Sequence, residues 1–160
     1  MCIWPIQHRP VALNVEGENV GGYMKSAVSV EWNTPTPLKE ELIQEFGRFD
    51  LDPATSSKNP MGAVRYYTIK EDGLIQTWSA KTVYVNPPYG RIISKWVDKA
   101  LNEFDEGRSQ KVVMLLPSRT CTRWFHRLYE RGFEIRFFKG RLRYGDKGPA
   151  PFPSILVIIE

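Results

Sequence analysis

The feature that most narrows the fold is an alternation of short apolar runs with helix-length amphipathic segments. Thr82-Val83-Tyr84-Val85 and Lys111–Leu116 are apolar runs of strand length. Between them, Arg91–Asp105 carries Ile92, Ile93, Trp96, Val97, Ala100, Leu101 and Phe104 at helical spacing. Thr122–Arg131 reads as a further helix closed by Gly132, and Phe133–Lys139 and Ser154–Ile159 as the last strands. Upstream, Leu38–Phe46 is a helix opened by Thr34-Pro35-Thr36-Pro37 and closed by Gly47. Phe49–Asp52 is a short strand stopped by Pro53, and Tyr66–Ile69 is a brief strand or part of a loop. Strands alternating with helices imply βαβ units, right-handed crossovers and a mostly parallel sheet, an α/β fold. The last two strands lack a helix between them, so at least one should pair antiparallel.

A chain of 160 residues holds one domain. Met1–Ser29 shows weak periodicity and a Gly21-Gly22 pair and reads as an arm or cap, leaving 30–160 as the folded domain. No apolar run is longer than Ile155–Ile159, far short of the roughly 20 residues that cross a bilayer, and Met1–Pro10 lacks the core of a signal peptide. Cys2 and Cys121 match no metal or redox spacing, and His8 and His126 are as isolated, so no metal site is expected. Charge is unevenly spread. Arg108–Lys147 holds 11 basic and 3 acidic residues, against 11 basic and 15 acidic elsewhere. A basic half is either a polyanion-binding face or a solvated surface.

Asn86-Pro87-Pro88-Tyr89 follows a strand directly, and in an α/β fold that is the carboxyl edge where ligands bind. Each proline fixes φ and removes an N–H, so the turn is stiff and offers bare carbonyls. A planar ring's amino group can donate to the Asn86 side-chain oxygen and to the Pro87 carbonyl. Held so, its lone pair leaves ring conjugation and is aimed at an electrophile, and Tyr89 offers a flat face to the ring. The plain alternative is a polyproline-like strand exit with Tyr89 merely packed.

The tetrapeptide resembles the catalytic motif of amino-methyltransferases. Trp32-Asn33-Thr34-Pro35, Leu51-Asp52-Pro53-Ala54, Asp72-Gly73-Leu74 with Trp78, Val85–Tyr89, Leu116-Pro117-Ser118-Arg119 and Gly140-Arg141-Leu142 occur in one order. Together they resemble the phage-type DNA adenine-N6 methyltransferases, the short Dam-like family of phages and prophages, from about Glu31 to the C-terminus. The resemblance implies a Rossmann-like S-adenosylmethionine-dependent methyltransferase fold with a shortened sheet, acting on DNA in the cytoplasm of a bacterial host. The catalytic residues implied are Asn86, Pro87, Pro88 and Tyr89.

For the cofactor, Asp52 with Pro53 matches the strand-end acid that holds the amino-acid moiety, or is a turn cap. Trp32, Thr34 and Pro35 match the motif expected to close over the same cofactor, or form a turn with a buried Trp. Asp72, 20 residues after Asp52, is a ribose-binding acid or a turn residue before Gly73. The usual glycine-rich continuation is absent, Ala54 being followed by Thr55-Ser56-Ser57-Lys58-Asn59. Arg119, Arg123 and Arg127 recur at i, i+4, i+8 and form one stripe along the helix Thr122–Arg131, while Arg141 and Arg143 alternate around Leu142 on a strand. These five either contact DNA phosphates or make a solvated face.

Only 33 residues separate Asp52 from Asn86, which leaves no room there for a separate target-recognition domain. Site choice is expected from short loops, the N-terminal arm or a second copy of the chain in a homodimer, or hardly at all. The rival readings are methylation of an RNA base or a protein glutamine, and a nucleic-acid-binding module that has lost catalysis.

Overall fold

The computed structural model describes residues 33–143 and 148–160. The arm 1–29, Trp32, Cys2 and His8 lie outside the described residues. Among the described residues six strands form one sheet: β1 Leu51–Asp52, β2 Arg65–Tyr66, β3 Ala80–Val85, β4 Ser109–Pro117, β5 Glu134–Phe137 and β6 Ser154–Ile159. Three helices accompany them among the described residues: α1 Thr36–Phe46, α2 Ile93–Asp105 and α3 Arg123–Glu130. The spatial order is β2-β1-β3-β4-β6-β5. β1 pairs parallel with both β2 and β3, and β3 with β4, while β6 runs antiparallel between β4 and β5. The helix-less final connection therefore does give the antiparallel strand, which fills the slot that the α3 crossover leaves beside β4.

Every residue of β6, and of β4 from Val112 to Pro117, is buried. Both faces of the sheet centre are thus covered, as unbroken apolar runs require. α1 begins after Pro35, with Pro37 in its first turn, and ends where Gly47 at φ 76° returns an N–H to the Ile43 carbonyl. Its buried face is Leu38 and Leu42. Between β1 and β3 there is no helix, only turns around the two-residue edge strand β2, whose side chains are exposed. Among the described residues no helix is long and apolar enough to cross a membrane.

Trp78, fully buried just before β3, ties these parts together. Its indole N–H donates to the Gly73 carbonyl at 2.8 Å, and its ring stacks on Trp96 of α2 with centroids 6.2 Å apart. Ser109 at the start of β4 donates to the Trp78 carbonyl, and the Trp78 backbone N–H donates to the Glu103 carboxylate at 3.0 Å. Burial alone would raise the Glu103 pKa. Hydrogen bonds from Arg108 and Lys99, and from Trp78, outweigh that and hold it at about 2. A carboxyl group depressed this way stabilises the fold fully above its unfolded pKa and loses that contribution as pH falls toward 2. Glu103→Gln should therefore cost roughly 3 kcal/mol at pH 7 and flatten the acid limb of a stability profile between pH 5 and 2, measured by urea unfolding.

Candidate active site

β1 leads to β2 on one side of the sheet, whereas β3 lies on its other side, so the connections diverge where β1 and β3 end. Open α/β sheets bind ligands at such a divergence, outside the carboxyl ends of the strands. A cavity of about 520 Å³ lies there, within the range of small-molecule sites. Its walls come from the Asn33-Thr34 lead into α1, the Asp52–Ser56 turn after β1, the Asp72–Leu74 loop, the Asn86–Pro88 exit from β3, and Ile92 and Trp96 at the start of α2.

The cavity thus gathers Thr34, Asp52, Pro53, Asp72, Asn86, Pro87 and Pro88 from four separate sequence motifs. Asp52 is 2% exposed, and one of its oxygens accepts the Ala54 N–H at 3.1 Å. Burial pushes its pKa up to about 7, against the smaller opposing pull of hydrogen bonds from Ala54 and Thr55. Among the described residues no cation pairs with it. A buried carboxyl group without a counter-ion in a cavity wall marks a candidate ligand site.

Asp72 shows the expected turn and a place in the cavity wall. It lines the cavity, yet it is also a turn residue at φ 53°, with Oδ1 accepting the Leu74 N–H at 3.1 Å. Gly73 beside it packs so closely that a Cβ there would lie 2.0 Å from the Pro53 carbonyl oxygen. Only glycine lets the Asp72 loop seat against the turn that follows Asp52. Here the required glycine stands in the loop packed against the turn after Asp52, not in that turn itself, where the resemblance led one to seek glycines.

Asn86 donates through Nδ2 to the Thr34 hydroxyl at 3.3 Å, and that hydroxyl lies 2.6 Å from the phenol oxygen of fully buried Tyr84. Pro35 caps α1 and is absent from the cavity wall. Tyr89, expected to offer its ring to a substrate, is instead 6% exposed and sits outside the cavity lining. It lies edge-on to Phe152 with centroids 5.2 Å apart, and its hydroxyl donates to the Leu115 carbonyl at 3.4 Å. The turn at Gly90, φ 131°, accompanies this inward direction. Wall residues that sequence reasoning missed include Pro60, Met61, Thr68, Ile69, Tyr84, Ile92 and Trp96. The helical pattern had flagged Ile92 and Trp96, but as core.

The arginine stripe needs correction. α3 starts at Arg123, so Arg119 lies in the turn before it and the three do not share one helix. Arg127 pairs with Asp98 of α2. Arg131 pairs with Asp105, Arg108 with Glu103 and Glu106, and Arg136 with Glu45 and Glu134, all but Glu134 acids from the acidic part of the sequence. Arg119, Arg123 and Arg143 make no ion pair among the described residues. Leu142 is buried between half-buried Arg141 and exposed Arg143, so the alternation holds, although only a single bridge from Arg143 to Pro149 takes the place of the expected strand.

A family model described as DNA N-6-adenine-methyltransferase (Dam) matches residues 22–151. The chain belongs to this family. A DNA N-6-adenine-methyltransferase of Escherichia phage T1 is 29% identical over 135 residues, covering 83% of this chain and 55% of that protein. The Dam-family chain described here therefore spans about half the length of that relative. A solved structure titled "Human methyltransferase 10 domain containing protein" superposes with a TM-score of 0.48 at 10% identity, covering 78% of this chain and 81% of that one.

The raised pKa of Asp52 has a thermodynamic consequence for the Dam-family chain without ligand. Its folded state holds a proton between pH 4 and 7 that the unfolded state releases, so stability falls as pH rises through that window. Asp52→Asn should stabilise the unliganded protein at pH 8 by up to about 4 kcal/mol, the gain vanishing near pH 4, as read by chemical denaturation at each pH.

Proposed function

We propose that this chain transfers a methyl group from S-adenosylmethionine to the N6 amino group of adenine in DNA. The observation that carries this reading is one cavity bounded by Asp52 and by Asn86–Pro88, in a chain of the Dam family. The donor set suits the cofactor: a buried carboxylate without a counter-ion for its ammonium, and a turn of Ala54, Thr55 and Ser56 small enough for close approach. Asp72, lining the same cavity from the neighbouring loop, is the proposed ribose acceptor. S-adenosylmethionine, when bound, supplies a sulfonium methyl as the electrophile.

The chain's own groups do the rest. The Asn86 side-chain oxygen and the Pro87 carbonyl accept the two amino hydrogens, which localises the nitrogen lone pair for attack. The methyl carbon–nitrogen bond forms as the methyl carbon–sulfur bond breaks, and the surplus proton leaves the nitrogen for solvent. No titrating base is required. An adenine in duplex DNA must be flipped out at a cost of a few kcal/mol. Stacking of that base on Tyr89 would require the Pro88–Gly90 turn to swing its ring out of the core. Arg119 and Arg123, with Arg141 and Arg143, are proposed phosphate contacts. Arg119 follows β4, parallel neighbour of β3, and so stands at the cavity edge of the sheet. For Arg127 a phosphate must compete with Asp98.

The test is to incubate the chain with methyl-labelled S-adenosylmethionine and duplex DNA, RNA or protein, then separate the products. Label should appear in N6-methyladenine from DNA, and Asn86→Ala should lower its formation roughly 100-fold with thermal melting preserved. Label confined to RNA or protein, or wild-type rates from Asn86→Ala, would refute the reading.

A further inference from the structure

The sequence placed Thr34 in a segment closing over the cofactor, but its hydrogen bonds lead elsewhere. Tyr84 and Asn86 lie two residues apart along the extended run leaving the sheet, so their side chains project to one face. The Thr34 hydroxyl meets both, at 2.6 Å from the Tyr84 phenol oxygen and 3.3 Å from Asn86 Nδ2. Asn86 Nδ2 can only donate, so Thr34 Oγ1 is the acceptor of that bond, whichever way the proton between Thr34 and Tyr84 points. We propose that Thr34 is a positioning residue for methyl transfer, its hydroxyl, anchored on Tyr84, turning the Asn86 amide so that the amide oxygen meets the adenine amino group. This rests on the methyl-transfer reading above.

The support for the hydroxyl is stiff on both sides. Tyr84 is fully buried against Phe49, ring centroids 5.3 Å apart, and Phe49 in turn lies 6.3 Å from Phe46 at the end of α1. Thr34 is followed by Pro35 at φ −58° and ψ 141°, and Pro37 lies in the first turn of the helix. The chemistry explains why orientation matters. An Asn amide has an accepting end and a donating end of nearly equal shape. Turned the wrong way, Asn86 would face the substrate amine donor to donor, and the amine would lose the partner that localises its lone pair. With its proton donated to Tyr84, the Thr34 hydroxyl offers Asn86 only lone pairs, so it accepts from Nδ2 and disfavours the orientation that would turn Oδ1 toward it.

The experiment compares Thr34→Val, Thr34→Ser and Tyr84→Phe in single-turnover methyl transfer to adenine-containing DNA, with S-adenosylmethionine affinity measured alongside by calorimetry. Thr34→Val keeps the shape and loses the hydroxyl. Its transfer rate should fall about tenfold, the worth of one hydrogen bond, while donor affinity stays within about twofold. Thr34→Ser should recover the rate to within about threefold of wild type, and Tyr84→Phe should show a smaller fall of the same kind. A Thr34→Val protein with weakened donor binding and an intact transfer rate would overturn the proposal and return Thr34 to the cofactor. So would Thr34→Ser as slow as Thr34→Val. If Thr34→Val does not fold, full-rate transfer by Tyr84→Phe overturns it equally. A wild-type chain that transfers no methyl to DNA adenine would instead remove the reading on which the proposal rests.

Discussion

Much of this molecule's order depends on one buried indole. Trp78 holds the Gly73 carbonyl through its N–H, and Gly73 lies against the Pro53 carbonyl so closely that no side chain fits between them. Two walls of the cavity, the Asp52 turn and the Asp72 loop, are thereby fixed to each other without a helix between β1 and β3. The same indole stacks on Trp96, a third wall residue, and its backbone engages Glu103 and Ser109. A short sheet with a nearly bare edge on this side thus keeps a defined cleft through packing around one aromatic ring.

Two buried carboxyl groups in the structure have opposite fates, and the contrast separates scaffold from site. Glu103 is compensated by Arg108, Lys99 and a backbone N–H and is held ionised near pKa 2, so its burial contributes to the fold. Asp52 is buried to a similar degree but has only backbone and hydroxyl partners, and its pKa rises to about 7. A protein that uses a carboxylate for stability supplies its cation internally. One that leaves the cation missing at a cavity wall loses stability there, which is what the proposed binding of a cationic ligand by Asp52 would use.

The sequence carried the element order, the antiparallel last strand and most of the cavity wall, because apolar periodicity and proline chemistry act locally. Asn86, Pro87 and Asp52 were legible as strand-end residues, and divergent strands bring strand ends together. What local reasoning missed depends on long-range contact. Thr34 reaches Asn86 across 52 positions, and no spacing rule links a helix lead-in to a strand exit so far away. Tyr89 turns into the core because Phe152, far along the chain, receives its ring. The basic half was a true count but a poor guide to the surface: Arg108, Arg127, Arg131 and Arg136 pair with acids lying mostly in the other part. Charges segregated along a chain recombine when it folds.

The central claim is that Asp52 waits in the cavity wall for a positive charge. Calorimetry of S-adenosylmethionine binding at pH 6.5, repeated in buffers of different ionisation enthalpy, counts the protons exchanged. A carboxyl group with pKa about 7 that must ionise to bind should release most of one proton per cofactor, and Asp52→Asn should release none and bind more weakly. Tight binding by wild type with no proton release, or unchanged affinity in Asp52→Asn, would contradict it.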